Sequence, residues 1–417
     1  MSRLEHILPS GTRDHLPQTA DALYQLRGGV LSQMRRWGYR RILTPTFEFS
    51  DVIRRGVGDA SVSLLQFVDP PTGQVLALRP DITPQVARVV ATRLRDVEGP
   101  LRLCYYGHVF RLESHGGFAR REILQAGAEL FGATGPDADA EVIALGLACL
   151  DAQGLGSYKI DIGDVELGRL VLRQLQLSDA QQAVVQRHLA AKSRSGLEVY
   201  LRSIGTPAAD QRLLVDLCEL YGDRSTLEPA RRLLQSDEAR ARLDYLEQVL
   251  DALDATGAGA TILLDFGEVR GWDYYTGLLF SVLLPGTGDP LLTGGRYDNL
   301  VEGYGPRRAA TGFALDLERL QEALDRQGAA TTDERPTLLV CDAGAGRREQ
   351  LQIAAGLRRA GYIAIAPLIG EGQSEDRWRI DVLGTDRVRF VQNGGESAEL
   401  TVAGLEQRLL EEECRTS

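Results

Sequence analysis

The chain has 417 residues, of which 43% are hydrophobic and 25% are charged, the composition of a globular protein long enough for two or three domains. No run of about 18 apolar residues offers a membrane span, and the charged N-terminus lacks the apolar core of a secretory signal, so we expect a cytoplasmic protein that does not enter a membrane. The net charge of −11 disfavours nucleic-acid binding, which relies on Lys and Arg to displace counterions from phosphates, although a local basic patch is compatible with it.

The first half of the chain alternates helical and β patterns. From Thr19 to Trp37 the apolar residues recur at steps of three and four, and Gly38 follows, which predicts an amphipathic helix that ends there. Segments rich in β-formers and separated by Pro and Gly turns predict antiparallel strands at 41–49, 65–69 and 75–78. The other elements predicted in this half are a helix at 84–97, a strand pair at 101–111 and 122–130, a helix at 139–152 and a strand at 158–163.

The second half begins with a change of composition. Leu, Ala, Gln, Arg and Glu dominate from 165 to 258, which predicts a helical insertion; strands at 262–266 and 274–284 and a helix at 315–323 follow. The polar stretch 326–336 has the composition of a domain linker. Beyond it, a strand at 337–341, a helix that includes 351–359 and a strand at 362–366 predict one β-α-β unit. We therefore predict a core at 1–325, a linker at 326–336 and a small α/β domain at 337–417.

The cysteines and histidines give no sign of a disulfide framework or a metal site. The five cysteines are odd in number and never form a Cys-x-x-Cys pair, and the five histidines form no His-x-x-x-His pair. We predict no metal and no cofactor, with most of the cysteines acting as small core residues. The cysteines are Cys104, Cys149, Cys218, Cys341 and Cys414.

One predicted strand has a polar face that suits a small ligand. In a strand, Gln125, Gly127 and Glu129 share one face, so two polar groups flank a position without a side chain and leave a hollow on the sheet. Either of two further segments, if it stood alone, would suggest only an aromatic β-hairpin. They are Val269-Arg-Gly-Trp-Asp-Tyr-Tyr-Thr-Gly277 and Thr293-Gly-Gly-Arg-Tyr-Asp-Asn-Leu300.

Together, those two segments resemble the histidine-binding signatures of histidyl-tRNA synthetase and its paralogues. The resemblance covers most of residues 5–325 and implies the class II aminoacyl-tRNA synthetase-like fold, an α+β antiparallel sheet flanked by helices. Four further segments resemble motifs of that family, namely the N-terminal motif at 11–17, motif 1 at 38–48, the two strands of motif 2 at 106–113 and 121–129, and motif 3 at 312–319. Motif 1 implies a dimer interface in any paralogue.

The resemblance also implies a set of histidine-binding residues. Free histidine needs acceptors for its ammonium and imidazole and a cationic fork for its carboxylate. The implied set holds the ammonium with Asp81, Thr83 and Gln125, the imidazole with Glu129 and Tyr275, and the carboxylate with Arg270, and it also includes Tyr274. The alternative is that Glu129 and Arg270 only form a buried ion pair with each other.

Other positions depart from the synthetase pattern. Arg111 and Arg319 match the two class II arginines that contact ATP, so they mark a vestigial nucleotide site. Against this, Leu78-Arg-Pro-Asp-Ile-Thr83 replaces the usual Leu-Arg-Pro-Glu-Gly-Thr. The motif 2 loop at 113–121 lacks the usual Arg-Pro-Gln after its glutamate and the usual Gly-Arg-Tyr-Arg before the second strand. Ser281 replaces a usual Glu, and Asp316 stands where the synthetase normally has Gly. A carboxylate there would repel triphosphate oxygens. Residues 337–417 hold 13 Asp and Glu against 10 Arg, and their last segment, 405–413, is predicted as an acidic surface helix, which is unsuited to an anticodon stem.

These departures favour the biosynthetic paralogues, the regulatory subunits of ATP phosphoribosyltransferase, over the synthetase. In that family the catalytic, short-form subunit of the hetero-oligomer carries out the first step of histidine biosynthesis, and the synthetase-like subunit is non-catalytic, being required for activity and for feedback inhibition by L-histidine. The resemblance thus implies no catalytic residues and no tRNA binding. The alternative is a divergent histidyl-tRNA synthetase with ATP-dependent histidine activation. A third, less favoured interpretation is a stand-alone synthetase-like module of a stress sensor.

Overall fold

The computed structural model describes ten ranges of the chain, and it divides into two units, Met1–Thr331 and Thr332–Ser417. The described ranges are 8–57, 64–112, 120–175, 177–257, 260–267, 274–285, 289–328, 337–368, 378–392 and 397–416.

Helices make up much of the first unit. In chain order they are α1 (Pro17–Arg36), α2 (Ser50–Val57), α3 (Thr83–Thr92), α4 (Pro136–Asp151), α5 (Val165–Gln174), α6 (Asp179–Ala190), α7 (Arg194–Ser203), α8 (Ala208–Glu219), α9 (Leu227–Leu233), α10 (Asp237–Ala255) and α11 (Leu317–Gln327). The predicted helix at 19–37 corresponds to α1, which buries Leu26, Val30 and Met34 and is followed by Gly38 with a φ of +85°. The predicted helical insertion corresponds to α5 to α10.

The strands of the first unit form two sheets. In chain order they are β1 (Arg40–Arg41), β2 (Phe47–Phe49), β3 (Gln66–Val68), β4 (Val75–Leu78), β5 (Leu101–Phe110), β6 (Glu122–Phe131), β7 (Lys159–Asp164), β8 (Tyr221–Gly222), β9 (Thr261–Asp265), β10 (Leu278–Leu283), β11 (Leu292–Arg296) and β12 (Ala310–Asp316). Among the described residues, nine strands form one sheet in the order β1-β5-β6-β12-β11-β10-β7-β9-β8. Its middle, from β5 to β7 in that order, is antiparallel throughout, as the class II synthetase-like fold requires.

The segment predicted as one strand at 41–49 is divided between the two sheets, so that prediction was wrong in detail. Arg40 and Arg41 pair with β5 in the large sheet, whereas 47–49 pair with β4 in a separate sheet of order β2-β4-β3. Each piece finds a partner more than 25 residues away along the chain, and a local pattern does not encode such a choice.

The two faces of the large sheet carry different side chains. On β6, Ala126, Ala128 and Leu130 join the core that includes α1, α4, α10 and α11. The alternate residues of β6 point to the opposite face, where α3 packs with a second core that contains Tyr105, Tyr275 and Tyr297. This second, tyrosine-rich face is where the polar residues Gln125 and Glu129 lie.

The second unit is a small α/β domain with one mixed sheet. Its elements are β13 (Leu338–Asp342), α12 (Arg347–Arg359), β14 (Ala364–Ile365), β15 (Trp378–Val382), β16 (Arg387–Val391), β17 (Ser397–Thr401) and α13 (Val402–Thr416). The predicted β-α-β unit is present, because β13 and β14 are parallel and α12 connects them. The C-terminal helix is not only a surface helix, since Leu405 and Leu409 are fully buried in the domain core.

The predicted linker begins too early. Helix α11 continues to Gln327 and ends at Gly328, whose φ of +70° is a left-handed conformation that favours glycine. Residues 329–336 of the predicted linker lie outside the described ranges.

The described residues include no helix that is both long and apolar enough to cross a membrane. Within the same residues, no cluster of His, Cys, Asp and Glu has the arrangement of a metal site. Cys104, Cys149 and Cys218 are free and buried, whereas Cys341 is partly buried.

Candidate functional site

A small cavity with a mainly polar lining opens on the tyrosine-rich face of the large sheet. Its walls come from β6, β11 and β12, from the start of α3, and from the segment before β10. They consist of Asp81, Thr83, Arg111, Gln125, Glu129, Tyr274, Tyr275, Thr293, Tyr297, Gly312, Phe313 and Ala314.

Glu129 is the buried acceptor at the base of the cavity, with none of its surface exposed. Its Oε1 accepts hydrogen bonds from Thr83 Oγ1 at 2.6 Å and from Tyr105 OH at 3.1 Å, and its Oε2 accepts one from Tyr297 OH. A carboxylate has about four acceptor positions, so three hydroxyls leave one for an N–H of a ligand.

The burial of Glu129 raises the pKa of its carboxyl from the ordinary value of 4.5 to about 8. Loss of hydration is the largest cause, because it disfavours the charged form; the donated hydrogen bonds from Thr83 and Tyr297 oppose it, and the negative charge of Asp81 adds to it. Gly312 on β12 makes room for this carboxyl, since a Cβ at that position would overlap Glu129 Oε2 and lie 2.6 Å from Ala128 O. The site therefore holds a carboxyl group that gains from a cationic or N–H donating ligand.

Asp81 provides a second carboxylate in the lining of the cavity. It is 3% exposed, and its Oδ1 accepts from the Ile82 amide at 2.8 Å while its Oδ2 accepts from Tyr274 OH at 2.9 Å. Tyr274, Tyr275 and Tyr297 pack edge to face or tilted, with ring centroids 5.0 to 6.5 Å apart. Burial raises the pKa of all three phenols, so they act as neutral donors beside the two carboxyls.

Gln125 contributes a buried polar atom with no partner. Its side chain is 6% exposed, and its Oε1 is buried without a hydrogen bond to any described residue. An unsatisfied buried acceptor costs about 1 to 3 kcal/mol, which a ligand donor would recover. Arg111 also lines the cavity, where its Nε donates to Pro80 O at 3.0 Å.

The structure brings together most of the residues predicted for histidine binding. Asp81, Thr83, Gln125, Glu129, Tyr274 and Tyr275 all line the one cavity. Arg270, predicted to hold the carboxylate, lies outside the described residues, and so does most of the motif 2 loop. The hollow predicted beside Gly127 is already filled, because the Tyr105 ring occupies the space that a Cβ would need there.

The sequence prediction missed several residues of the cavity. Tyr297 and Gly312 stand in the quoted segments, but nothing in a linear pattern shows that both meet Glu129. Tyr105 is the residue directly opposite Gly127 in the β5–β6 register, so a large aromatic facing a glycine across a strand pair was the available signal. Thr293, Phe313 and Ala314 line the wall through the pairing of β11 with β12.

Arg319, the second arginine predicted for a vestigial nucleotide site, does not line the cavity. All three of its guanidinium nitrogens are occupied: Nη1 donates to Pro290 O at 3.1 Å, Nη2 pairs with Asp289 at 2.6 Å, and Nε pairs with Asp316 at 3.3 Å. Asp316 also accepts from the Arg319 amide at 3.0 Å and so caps the start of α11.

Arg319 belongs to a larger group of paired charges, which we call the α11 ion cluster. Arg120, which precedes β6, pairs with Asp316 at 2.8 Å and also with Glu318. Glu318, 6% exposed, pairs in turn with Arg13 at 3.3 Å and with His15 at 2.8 Å. The charges of Arg120 and Arg319 are therefore balanced within the protein. The α11 ion cluster comprises Arg13, His15, Arg120, Asp289, Asp316, Glu318 and Arg319.

The sequence of the chain is similar to a known family model and to relatives from several bacteria. The family model described as histidyl-tRNA synthetase matches residues 11–320. An ATP phosphoribosyltransferase regulatory subunit from Geobacter sulfurreducens is 38% identical over 367 residues, which cover 88% of this chain and 84% of that protein. One from Moorella thermoacetica is 41% identical over 321 residues, or 76% of this chain and 82% of that protein.

Solved structures agree on the fold. A structure from Bacillus halodurans, described as an ATP phosphoribosyltransferase regulatory subunit/histidyl-tRNA synthetase, is 30% identical and superposes with a TM-score of 0.78 over 89% of this chain and 95% of its own. The histidyl-tRNA synthetase from Nostoc sp. PCC 7120 gives a TM-score of 0.79 over 98% of this chain and 100% of its own at 19% identity, a likeness of fold alone.

Proposed function

The chain belongs to the family of ATP phosphoribosyltransferase regulatory subunits, which share the histidyl-tRNA synthetase fold, and we propose that its cavity binds free L-histidine as a feedback signal. In this proposal the chain carries out no chemistry itself. It assembles with a short-form catalytic subunit, supports that subunit's activity in the first step of histidine biosynthesis, and lowers it when histidine is bound.

The observation that carries the proposal is the set of acceptors in the cavity. Glu129 keeps one free acceptor position for an imidazole N–H, and the buried, unpaired Gln125 Oε1 and the Asp81 carboxylate offer acceptors for an ammonium. Thr83 donates its proton to Glu129, so its oxygen lone pairs stay available to the ammonium. Arg111 and Arg270 would supply the positive charge for the ligand carboxylate.

The α11 ion cluster supports a non-catalytic role over the alternative of a working synthetase. An arginine that stabilises an ATP phosphate must point donors at it, and each of the three guanidinium nitrogens of Arg319 already has a protein partner, which holds the group in another direction. Turning Arg319 towards a phosphate would remove one cationic partner each from Asp289 and Asp316. The acidic C-terminal domain is a second argument against a working synthetase, because it offers little positive charge to the phosphates of a tRNA.

The proposal is tested by titrating the purified full-length chain with L-histidine in a calorimeter and by assaying it with a short-form phosphoribosyltransferase. We expect saturable histidine binding, a higher rate when the two proteins are mixed, and loss of that gain on adding histidine. Histidine-dependent exchange of pyrophosphate into ATP should stay at background. Robust exchange together with tRNA charging would establish the synthetase alternative, and the absence of histidine binding with and without the partner would exclude the sensor.

Self-association through the motif 1 region is part of the same proposal. The small sheet β2-β4-β3 carries exposed aromatic residues on one face: Phe47 is 51% exposed, Phe49 44% and Phe67 42%. The Phe47 and Phe67 rings pack edge to face with centroids 5.8 Å apart. Exposed apolar groups concentrated on one face mark protein interfaces, and the motif 1 resemblance implies that the partner is a second copy of this chain.

Replacing Phe67 with serine should therefore weaken the dimer without unfolding the monomer, because the side chain is already exposed. Loss of an aromatic interface residue costs about 2 kcal/mol or more, a shift of about thirtyfold or more in the dimer dissociation constant. Sedimentation velocity over a concentration series measures it. Tyr24→Ser is the matched control, since Tyr24 is 67% exposed on α1, and equal sedimentation of Phe67→Ser and the wild type would place the interface elsewhere.

A further inference from the structure

The segment 274–277, which carries Tyr274 and Tyr275 and which we call the tyrosine wall, accepts hydrogen bonds from two arginines of the helical insertion. Arg169 on α5 donates from Nη1 to the carbonyl oxygen of Tyr275 at 2.7 Å. Arg242 on α10 donates from Nη2 to the carbonyl oxygen of Thr276 at 3.3 Å. Both acceptors belong to the short segment that places the Tyr274 and Tyr275 rings in the cavity, so helices α5 and α10 contact the backbone of the ligand wall directly.

The contact of Arg242 depends on a buried carboxylate and on a glycine. Arg242 pairs with Asp164 at 2.9 Å, and Asp164 is 1% exposed at the end of β7. The same carboxylate caps α5 by accepting from the Glu166 amide at 2.9 Å. A Cβ on Gly277 would lie 2.7 Å from Arg242 Nη2, so the bare backbone is what lets the guanidinium approach. Asp164 thus joins α5, α10 and the start of β10 at one point.

A second connection reaches the same segment from α10. The Thr276 amide donates to the carbonyl oxygen of Arg296 at 2.8 Å. The Arg296 guanidinium, 5% exposed, forms a two-point ion pair with the fully buried Asp139 at 2.9 and 3.0 Å. Tyr245 on α10 donates to the same carboxylate at 2.6 Å. Helix α10 is therefore connected to Thr276 in two ways. Arg242 contacts its carbonyl oxygen directly, and Tyr245 is linked to its amide through Asp139 and Arg296.

We propose that Arg169 and Arg242 are positioning residues that set the histidine affinity of the cavity, and that through them the helical insertion and the cavity are energetically coupled. This inference rests on the proposed function, because it takes free histidine as the ligand. The two arginines do not touch the cavity; they act through the carbonyl groups of Tyr275 and Thr276. Coupling of this kind is reciprocal. If the binding of a partner protein shifts α5 or α10 and changes the histidine affinity by some factor, histidine changes the affinity for that partner protein by the same factor.

The first test measures L-histidine affinity by calorimetry for the full-length wild type and for Arg169→Met and Arg242→Met. Methionine keeps an unbranched apolar stem and removes the donors. Loss of one well-placed charged donor typically corresponds to roughly a tenfold weaker affinity, which we expect for Arg169→Met, with a larger loss for Arg242→Met. Arg231→Met is the matched control, because Arg231 pairs with Asp244 and Glu247 on α10 and makes no contact with the wall; its affinity should stay within about twofold of the wild type.

Conservative variants separate positioning from a general structural role. Arg169→Lys should recover most of the affinity, since one ammonium can donate to the single carbonyl of Tyr275. Arg242→Lys should recover less, because a single ammonium must serve both the Asp164 carboxylate and the Thr276 carbonyl. Should Arg242→Met fail to fold because Asp164 loses its counter-charge, the Arg169 variants still test the proposal. The Arg169 side chain is 36% exposed, and its only ion pair within the described residues is with Glu166 at 3.8 Å.

Hydrogen exchange gives the second readout. Added histidine should slow amide exchange in α5 and in the first half of α10 of the wild type, and this protection should shrink in Arg169→Met even at saturating histidine. A wild type that binds histidine while both methionine variants bind it equally well would overturn the coupling and leave the proposed function standing. A wild type that binds no histidine would overturn both.

Discussion

Replacing Glu129 with glutamine should weaken L-histidine binding by about ten- to a hundredfold while the fold is retained. The substitution keeps the volume of the side chain, but glutamine cannot ionise when the imidazole N–H binds, as the carboxyl of Glu129 would. A hydrogen bond to a charged group contributes about 1.5 to 3 kcal/mol, which sets the size of the loss. Calorimetric titration of the purified chain measures it directly.

The fold should survive this substitution because Glu129 is buried as a carboxyl whose charged form is disfavoured. Glu122→Gln is the matched control, since Glu122 stands on the same strand β6 with 37% of its side chain exposed. We expect wild-type affinity for that variant. If Glu129→Gln bound histidine as tightly as the wild type, the imidazole would not be recognised by this residue.

The unliganded protein should also lose stability as the pH rises from about 4.5 to about 8, and Glu129→Gln should lack that component. The folded-state pKa of Glu129, about 8, is above its ordinary value of 4.5, so the folded chain binds the proton more tightly than the unfolded chain does. Raising the pH through this window therefore favours unfolding. The difference in pKa corresponds to about 5 kcal/mol at most, reached near pH 8.

The measurement compares urea unfolding of the wild type and Glu129→Gln at several pH values between 5 and 8.5, because groups common to both cancel in the difference. Tyr105, Tyr274, Tyr275 and Tyr297 surround the carboxyl, but burial raises the pKa of each, so none titrates in this window. The free energy of unfolding of the variant, relative to the wild type, should increase with pH and level off above about 8. A constant difference across the range would mean that Glu129 ionises near its ordinary pKa.

The sequence was most informative where the determinants are local. Helix α1 follows from its apolar period and from Gly38, and the β-α-β unit of the second domain follows from two short apolar strands around one helix. The motif residues Asp81, Gln125 and Glu129 also converge in one cavity as the resemblance implied. These features depend on residues close in sequence or on segments with a recognisable pattern.

Contacts between distant segments were beyond the sequence. The division of 41–49 between two sheets depends on partners at 104 and at 76–78, and Tyr105 fills the predicted hollow at Gly127 because of the β5–β6 register. The ion pairs of Arg319 involve Asp289, which lies 30 residues earlier. Sequence reasoning identified Arg319 as a remnant of a nucleotide site but gave no sign that its nitrogens were already occupied.

The α11 ion cluster also bears on how readily the proposed loss of a nucleotide site could be reversed. Changing Asp316 back to the glycine usual in synthetases would remove a partner from both Arg120 and Arg319 at once, and it would remove the cap of α11. An N-terminal cap contributes about 1 kcal/mol on its own. The change from Asp316 to glycine is therefore expected to destabilise the fold before it could open space for a phosphate. Under the proposed non-catalytic role, the cluster makes a return to catalysis costly, because a variant that takes this step first loses stability without gaining a phosphate contact.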